Sequence, residues 1–234
     1  MIGSTENSNA FFWEDGVITD FCQLGQSCNA YDVNNSGRVV GSLKVVIDTE
    51  CFYGESCNDI TVQRSHLWEN GKITDLGTIG DAQNSSYAFA INDLGQIVGE
   101  ANLHAVLWKN GMITDLGTLG GRDSIALDIN NLGQVVGRAA TNSVNHAFLW
   151  DSTNKMQDLN SLISANSGWL LSEARAINEA GQIVGSGIIN GQQHGFLLIP
   201  HSASKVGISA FGAIGVNSWL LRLQKSASGK TFQS

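Results

Sequence analysis

Ala105-Val-Leu-Trp108, Asn110-Gly111 and Ile113-Thr-Asp-Leu116 follow one another in the sequence, and Ile129-Asn-Asn-Leu-Gly-Gln-Val-Val-Gly137 comes shortly after them. Asn-Gly between two apolar runs is a strong hairpin signal, because both turn residues must take positive φ. The Asn-x-x-Gly segment predicts a second tight hairpin, in which the Asn side chain bonds its own turn and the Gly supplies the left-handed position. The apolar runs are short and rich in Val and Ile, which is typical of β-strands.

These motifs recur from residue 10 to about residue 198. Full copies of the first motif end at Trp13, Trp68, Trp108 and Trp150, and a partial fifth copy ends at Leu198. The second motif begins at Asn34, Asn92, Asn130 and Asn178. Successive tryptophans are 55, 40 and 42 residues apart, and about 40 residues is the span of one four-stranded propeller blade. The longer first spacing holds an insertion at residues 43–63.

The repeat therefore predicts an all-β fold. A single unit of four short strands cannot bury its own faces, so neighbouring units must stack. We predict a β-propeller built from four-stranded repeats of about 40 residues, because radial closure leaves few exposed strand edges. A linear β-solenoid is the alternative. The strand order allows four blades, if residues 10–21 complete the last repeat, or an incomplete five-blade disc.

The third unit resembles the HAF-repeat family of probable extracellular bacterial repeats. The segments that carry the resemblance are His104 to Trp108, Gly117-Thr-Leu-Gly-Gly121, Ser124, Ala126 and Ile129 to Gly137. It extends over about residues 9–199 of the chain. It implies export and a propeller-like fold, and it brings no catalytic residues with it.

The predicted organisation is an N-terminal tail at 1–9, a repeat domain at 10–200 and a C-terminal tail at 201–234. The whole chain has a net charge of −8, and residues 201–234 contain four basic residues and no acid. An acidic repeat domain argues against nucleic acid as a partner, because phosphate binding needs Lys and Arg. The chain enters directly at a Trp-motif strand without a secretory signal, so we expect it to be part of a longer natural protein.

Four cysteines lie in the first quarter of the chain. Cys22 with Cys28 and Cys51 with Cys57 form two Cys-x5-Cys pairs. Even number and matched spacing favour disulfides and an oxidising compartment. Free thiols are one alternative; zinc is another, although structural zinc sites usually have two to four residues between ligands. Together with the family resemblance, this predicts an extracellular, cell-surface or periplasmic location.

Several polar and aromatic residues recur in phase with the repeat. For the recurrent histidines and aspartates we expect structural hydrogen bonds, with metal binding or acid–base chemistry as the alternatives. They are His66, His104, His146, His194, Asp20, Asp75, Asp115 and Asp158. The tryptophans predict core packing, with sugar stacking as the alternative. Residues 32–37 begin like a calcium loop, but Leu43 stands where the bidentate acid is required.

Residues outside the repeat consensus are the candidate ligand contacts, because sites on a rigid scaffold often use such positions. They are Tyr31, Phe52, Tyr53, Trp169 and Arg175, with the adjacent aromatic pair preferred as the exposed contact. Motifs for a serine hydrolase, a zinc protease, a phosphate-binding loop and a Cys-x-x-Cys redox site are absent from the sequence. We therefore expect no catalytic residue, metal or cofactor.

The predicted function is a non-enzymatic, exported scaffold that binds a glycan, a protein or an envelope component. One alternative is a propeller hydrolase or lyase with an axial active site, which non-repeat carboxylates around one channel mouth would support. Another is a structural or truncated remnant without activity. The apolar stretch 206–221 precedes basic residues in the order of a PEP-CTERM sorting tail, although the Pro-Glu-Pro motif is missing. Sixteen residues are short for a membrane span, so packing or disorder is favoured and membrane association is expected only there.

Overall fold

The computed structural model describes residues 2–4, 10–20, 27–51, 57–200 and 219–222. Five antiparallel sheets follow one another, each with its strands in chain order. The described chain contains two single-turn 3-10 helices, Leu159–Ser161 and Ala165–Ser167, and no α-helix. The prediction of an all-β fold made of four-stranded repeats is confirmed.

The first sheet has three strands and each of the others has four. Sheet 1 contains β1 (Ile2–Ser4), β2 (Ala10–Glu14) and β3 (Val17–Asp20). Sheet 2 contains β4 (Cys28–Val33), β5 (Val39–Cys51), β6 (Cys57–Glu69) and β7 (Lys72–Asp75). Sheet 3 contains β8 (Ser86–Ile91), β9 (Ile97–Ala101), β10 (His104–Lys109) and β11 (Met112–Gly117). Sheet 4 contains β12 (Ser124–Ile129), β13 (Val135–Ala140), β14 (Asn145–Asp151) and β15 (Lys155–Asp158). Sheet 5 contains β16 (Trp169–Ile177), β17 (Ile183–Ile189), β18 (Gln192–Pro200) and β19 (Trp219–Arg222).

The two predicted hairpins form as their residues require. Asn110 and Gly111 both have positive φ, +53° and +74°, as a type I′ turn demands. In the other hairpin the Asn130 Oδ1 accepts hydrogen bonds from the backbone N–H groups of Leu132 and Gln134, at 3.1 and 3.0 Å. Gly133 takes the left-handed position there. Local sequence therefore fixes where each sheet turns.

A β-bulge in the first strand of each four-stranded sheet explains the glycine that ends the Gln-Val-Val-Gly motif. The register of β12 on β13 shifts between Ala126 and Asp128, opposite Gly137. A Cβ atom at Gly137 would lie 1.9 Å from the carbonyl oxygen of Ile125, far inside van der Waals contact. Only glycine lets the bulged strand approach this closely.

The sheets pack face to face through the first strand of each successive sheet. We call β4, β8, β12 and β16 the inner strands, because neighbouring inner strands contact one another. Each of β8, β12 and β16 also packs on the second and third strands of the preceding sheet. One core cluster shows the pattern: Val98 of sheet 3 is fully buried with Ala126 and Ile129 of sheet 4. Such packing resembles a β-propeller-type fold, although no sheet closes on itself.

The structure decides between the two predicted ways of counting repeats. Residues 10–20 pair with β1 in a sheet of their own instead of completing the last repeat. The fourth strand of sheet 5 is β19, which pairs with β18. The described chain therefore forms five sheets, and its residues 10–20 do not complete the last repeat. Among the described residues, no substantial strand contact joins sheet 1 to sheet 5.

Two details of the sequence-based reading are modified. Trp108 and Trp150 are buried in the core as predicted, whereas Trp13 on the three-stranded sheet is 44% exposed. The insertion at 43–63 does not form a separate loop but lengthens β5 and β6 to 13 residues each. In this long hairpin Cys51 lies directly opposite Cys57. None of the helices in the described chain is long and apolar enough to span a membrane.

Candidate functional site

Two of the predicted ligand contacts lie at bulges of inner strands, one on the first (β4) and one on the last (β16). Tyr31 and Arg175 each occupy the bulge of their inner strand, and Phe89 and Leu127 hold the same place in the strands between them. These four residues differ in every repeat, while the preceding Ala is retained and the residue two positions after the bulge is always Ile or Val. The bulge is thus at the same position in all four inner strands, and the residue at this position varies from repeat to repeat.

Aromatic rings occupy the part of this surface that belongs to sheets 2 and 3. The ring centroids of Tyr31 and Phe89 are 5.3 Å apart with the planes tilted by 55°. Phe89 in turn stacks on Tyr87 with a centroid distance of 6.0 Å. The Tyr31 hydroxyl lies 3.3 Å from the Ser42 hydroxyl, and its side chain remains 40% exposed. Such rings offer both an apolar face and a polar edge to a ligand.

Charged side chains continue the same surface across sheets 3 to 5. Glu100 is the register partner of Tyr87, and its carboxylate interacts electrostatically with Arg138. Arg138 Nε lies 3.7 Å from one carboxylate oxygen of Glu173. Arg175 Nη2 lies 2.7 Å from the other oxygen of Glu173. We call this set the inner-strand surface: Tyr31, Tyr87, Phe89, Glu100, Arg138, Glu173 and Arg175.

Burial affects the protonation of two groups in the middle of this surface. It raises the pKa of the Glu100 carboxyl group, and the nearby Arg138 only partly opposes this. Burial also raises the pKa of the Tyr87 hydroxyl, and the negative charge of Glu100 adds to the effect. Both shifts have the same physical cause, since burial disfavours the charged form of an acid.

The sequence analysis found only the two ends of the inner-strand surface. Tyr87 and Phe89 were missed because both fit the apolar pattern of a strand. Glu100 and Arg138 were missed because they lie in second strands, one residue beyond the motif glycine. The sequence does contain a signal for these two residues, because the residue after the motif glycine is acidic or basic only in sheets 3 and 4. The bulges and the sheet packing were needed to place all of them together.

A second feature is a shallow cavity where the inner strands end. Its volume is about 160 Å³, which is small beside the 300–1,000 Å³ typical of small-molecule sites. The lining residues are Val33, Asn34, Asn35, Ile91, Asn92, Asp93, Ile129, Asn131 and Glu179. We call this place the mouth.

The carboxylates at the mouth link neighbouring sheets. Asp93 accepts hydrogen bonds from the backbone N–H and the side-chain amide of Asn35, at 3.0 and 2.8 Å. Glu179 accepts from the backbone N–H of Asn131 at 3.0 Å. Hydrogen bonds, the largest from the Asn35 N–H, hold the pKa of Asp93 below its usual value. These acids are thus positioned as acceptors that tie hairpins together.

Two further carboxylates lie just inside the mouth. Asp32 accepts the backbone N–H of Ile91 on the next inner strand at 2.9 Å, and Asp128 accepts that of Ile177 at 2.7 Å. Burial raises the pKa of both carboxyl groups, and for Asp128 the charge of Asp32 adds to the increase. Each aspartate therefore connects two inner strands at the expense of its own desolvation. The first of them is the residue that opened the calcium-like segment.

Two of the recurrent histidines form the structural hydrogen bonds that we expected, each with the recurrent aspartate of its own sheet. His104 Nδ1 lies 2.8 Å from Asp115, and His146 Nδ1 lies 2.7 Å from Asp158. Asp115 also accepts the backbone N–H of Gly117, so the aspartate closes the turn after it. In sheet 2 the corresponding His66 is buried and its pKa is lowered to about 4, mainly by burial. Among the described residues, no group of three or more His, Cys, Asp or Glu is arranged to hold a metal ion.

The remaining predicted site residues are spread over the molecule. Trp169 is half-buried at the start of β16, packs on the sheet 5 core and lies edge-on to His194 at 6.3 Å. Phe52 and Tyr53 lie outside the described residues, as does Cys22. Neither Cys28 nor Cys57 is a free thiol, and each is disulfide-bonded. Which cysteines pair stays a prediction at this point.

Comparisons with known proteins give one match to a family model over part of the chain. Residues 114–207, less than half of the chain, match a family model described as "Protein of unknown function (DUF3466)". The structure is similar to the crystal structure of Porphyromonas gingivalis dipeptidyl peptidase 4, with a TM-score of 0.48 and 10% sequence identity. That match covers 84% of this chain and 37% of the other, so the chain spans little more than a third of its length. The search of curated proteins found no match. None of these comparisons tests the resemblance to HAF repeats.

Proposed function

We propose that this chain is a non-enzymatic binding module whose inner-strand surface takes a glycan. The observation that carries the proposal is the continuity of that surface from the exposed ring of Tyr31 to the exposed guanidinium of Arg175. A sugar ring offers an apolar face to aromatic side chains and hydroxyls to charged ones. Aromatic stacking and a Glu–Arg network are here joined on one surface.

The contacts of the other acids favour binding over catalysis. A general acid or base needs a carboxyl group within reach of a substrate proton. Asp32, Asp93, Asp128 and Glu179 instead accept backbone N–H groups of neighbouring hairpins and strands. Carboxylates around one mouth are what an axial hydrolase would need. The hydrogen bonds of these four acids instead favour a role in holding neighbouring sheets together.

Titration of acidic and neutral oligosaccharides into the protein, followed by calorimetry, tests the proposal. We expect saturable binding of at least one glycan class, weakened about tenfold by Tyr31→Ala or by Arg175→Ala, because Tyr and Arg are the residue types whose truncation costs a binding surface most. Met112→Ala is the matched control, because this exposed side chain lies at the start of the fourth strand of sheet 3, away from the inner strands. Equal binding by all three variants would contradict the proposal, and so would measurable glycan hydrolysis.

The same proposal includes export to an oxidising compartment with Cys22 joined to Cys28 and Cys51 joined to Cys57. Support comes from the oxidised state of Cys28 and Cys57 and from the direct register of Cys51 on Cys57. Directly opposite residues in an antiparallel pair can meet the Cα separation that a disulfide requires. Mass spectrometry of peptides from unreduced protein checks both pairs. A disulfide between a cysteine of the first pair and a cysteine of the second pair would refute this connectivity.

A further inference from the structure

In sheets 2, 3 and 4, one face packs on the inner strand of the following sheet. Sheet 5 differs from them on this face. The second valine of the Gly-Gln-Val-Val-Gly motif is fully buried in sheets 2, 3 and 4, at Val40, Val98 and Val136. The corresponding Val184 is 45% exposed, and the nearby Ile188 is 41% exposed. An apolar face that every other repeat covers is therefore open here.

The repeat itself shows what covers this face elsewhere. Val40 packs with Ala88 and Ile91 of the next inner strand, and Val136 packs with Ala174 and Ile177. In each case a small Ala lets the inner strand approach and an Ile fills the remaining space. The natural occupant of the Val184 face has the same chemistry: an extended strand with Ala and Ile three residues apart.

A ladder of asparagine hydrogen bonds ends at the same place. The side-chain amide of Asn34 donates to the backbone oxygen of Asn92, that of Asn92 to Asn130, and that of Asn130 to Asn178. The first three of these asparagines are buried, whereas Asn178 is exposed. Among the described residues, the Asn178 amide bonds only Gln182 of its own hairpin. The ladder is therefore complete except for one acceptor, which a following Asn would supply.

Within the described residues, sheet 1 has no inner strand of its own. Its three strands correspond to the second, third and fourth strands of the other sheets, because β1 pairs with β2 and contacts β4. The described part of the chain gives this sheet no inner strand. One additional inner strand would thus supply sheet 1 with its first strand and sheet 5 with its cover.

Leu197 is the register partner of Val184 on β18 and lies on the same face. We propose that the open face of sheet 5, formed by Asn178, Val184, Ile188 and Leu197, docks one inner-type β-strand from another polypeptide segment of the same repeat. The recognised pattern is Ser-x-Ala-x-x-Ile-Asn followed by an acceptor side chain. Ala and Ile pack on Val184, and the Asn carbonyl accepts from Asn178. This surface is separate from the inner-strand surface, so loss of one activity leaves the other intact.

A peptide with the sequence of residues 123–134, which contains the inner strand of sheet 4, is the probe. Labelled with a fluorophore and titrated with the whole chain, it should give saturable anisotropy, and β17 should gain protection in hydrogen exchange. Val184→Glu should weaken binding about tenfold or more, because a carboxylate would be buried at a centre of apolar contact. Leu132→Glu, at an exposed turn of sheet 4, should change nothing.

A second peptide separates strand docking from unspecific adhesion. In it Ala126→Phe places a large ring where the strand has none, and we expect its binding to be lost. Equal binding of the two peptides, or no saturable binding of the first, would overturn the proposal. A dimer of the chain itself that Val184→Glu dissolves and the peptide cannot displace would overturn it in favour of a second copy as occupant. Circular dichroism of Val184→Glu checks that this exposed substitution leaves the fold unchanged.

Discussion

Sheets 4 and 5 carry nearly the same motif, Gly-Gln-Val-Val-Gly and Gly-Gln-Ile-Val-Gly, in different surroundings. Sheet 4 has a neighbour on both faces, and there Val136 is fully buried and Asn130 is 2% exposed. Among the described strands, sheet 5 has a neighbour on one face, and Val184 and Asn178 on the other face are exposed. The motif thus places an apolar residue on the face of the sheet, but this residue is buried only where a following repeat packs against that face. In a stacked repeat, stability is the sum of unit terms and interface terms.

Truncation of the motif valine should separate these two terms most clearly. Val136→Ala should destabilise the protein by about 2–3 kcal/mol, because buried methyl groups are lost and a cavity is left. Val184→Ala should cost about 0.5 kcal/mol or less, as is usual for an exposed position. Urea unfolding of both variants measures the difference. Equal destabilisation would show that the face of sheet 5 is covered in solution.

The histidine position sharpens the comparison through pH. His66, in a covered sheet, is buried and its pKa is lowered to about 4, chiefly by burial, with Asp75 and the backbone of Arg64 opposing. Because the unfolded chain binds this proton more readily, the contribution to stability is complete above about pH 6.5 and decreases as the pH falls toward 4. Between pH 7 and pH 5 we expect a loss of about 2 kcal/mol from this group.

Replacement variants assign that pH dependence. His66→Gln should flatten the slope of unfolding free energy against pH between 7 and 5. His194→Gln is the matched control, because the same repeat position in sheet 5 is exposed. Denaturant titrations at several pH values give the slopes. If both variants retained the slope of the parent protein, the buried histidine would not be its source.

Much of the fold could be predicted from local signals in the sequence. Asn110-Gly111 and the Asn-x-x-Gly hairpins act within a few residues, so their turns are where the sequence predicts them. The end of the series is a non-local outcome, because residues 10–20 could complete the last repeat or begin a sheet of their own with equal local propensity. Burial of Val184 depends on a neighbour that no local pattern contains.

The candidate site was predictable only where the repeat is broken by an unusual residue. Tyr31 and Arg175 stand out because the flanking consensus is strong. Glu100 and Arg138 become neighbours only through the packing of successive inner strands, which depends on the bulge opposite Gly137. Phe89 looks like a core residue in sequence, but the bulge turns that position toward the surface that it shares with Tyr31.

The smallest expected difference concerns the asparagine ladder. Asn130 closes its own hairpin and also donates to the backbone oxygen of Asn178 at 3.1 Å, whereas Asn178 closes only its own hairpin. Both Asn130→Ala and Asn178→Ala lose the turn contacts, and the first loses one buried inter-sheet bond in addition. We therefore expect Asn130→Ala to be the more destabilising by about 1 kcal/mol, the net value of a typical hydrogen bond. Addition of the docking peptide should make the destabilisation caused by the two substitutions more similar. The reason is that the peptide would give Asn178 of the parent protein the acceptor that Asn130 already has. A constant difference at saturating peptide would show that the ladder does not extend to the bound strand.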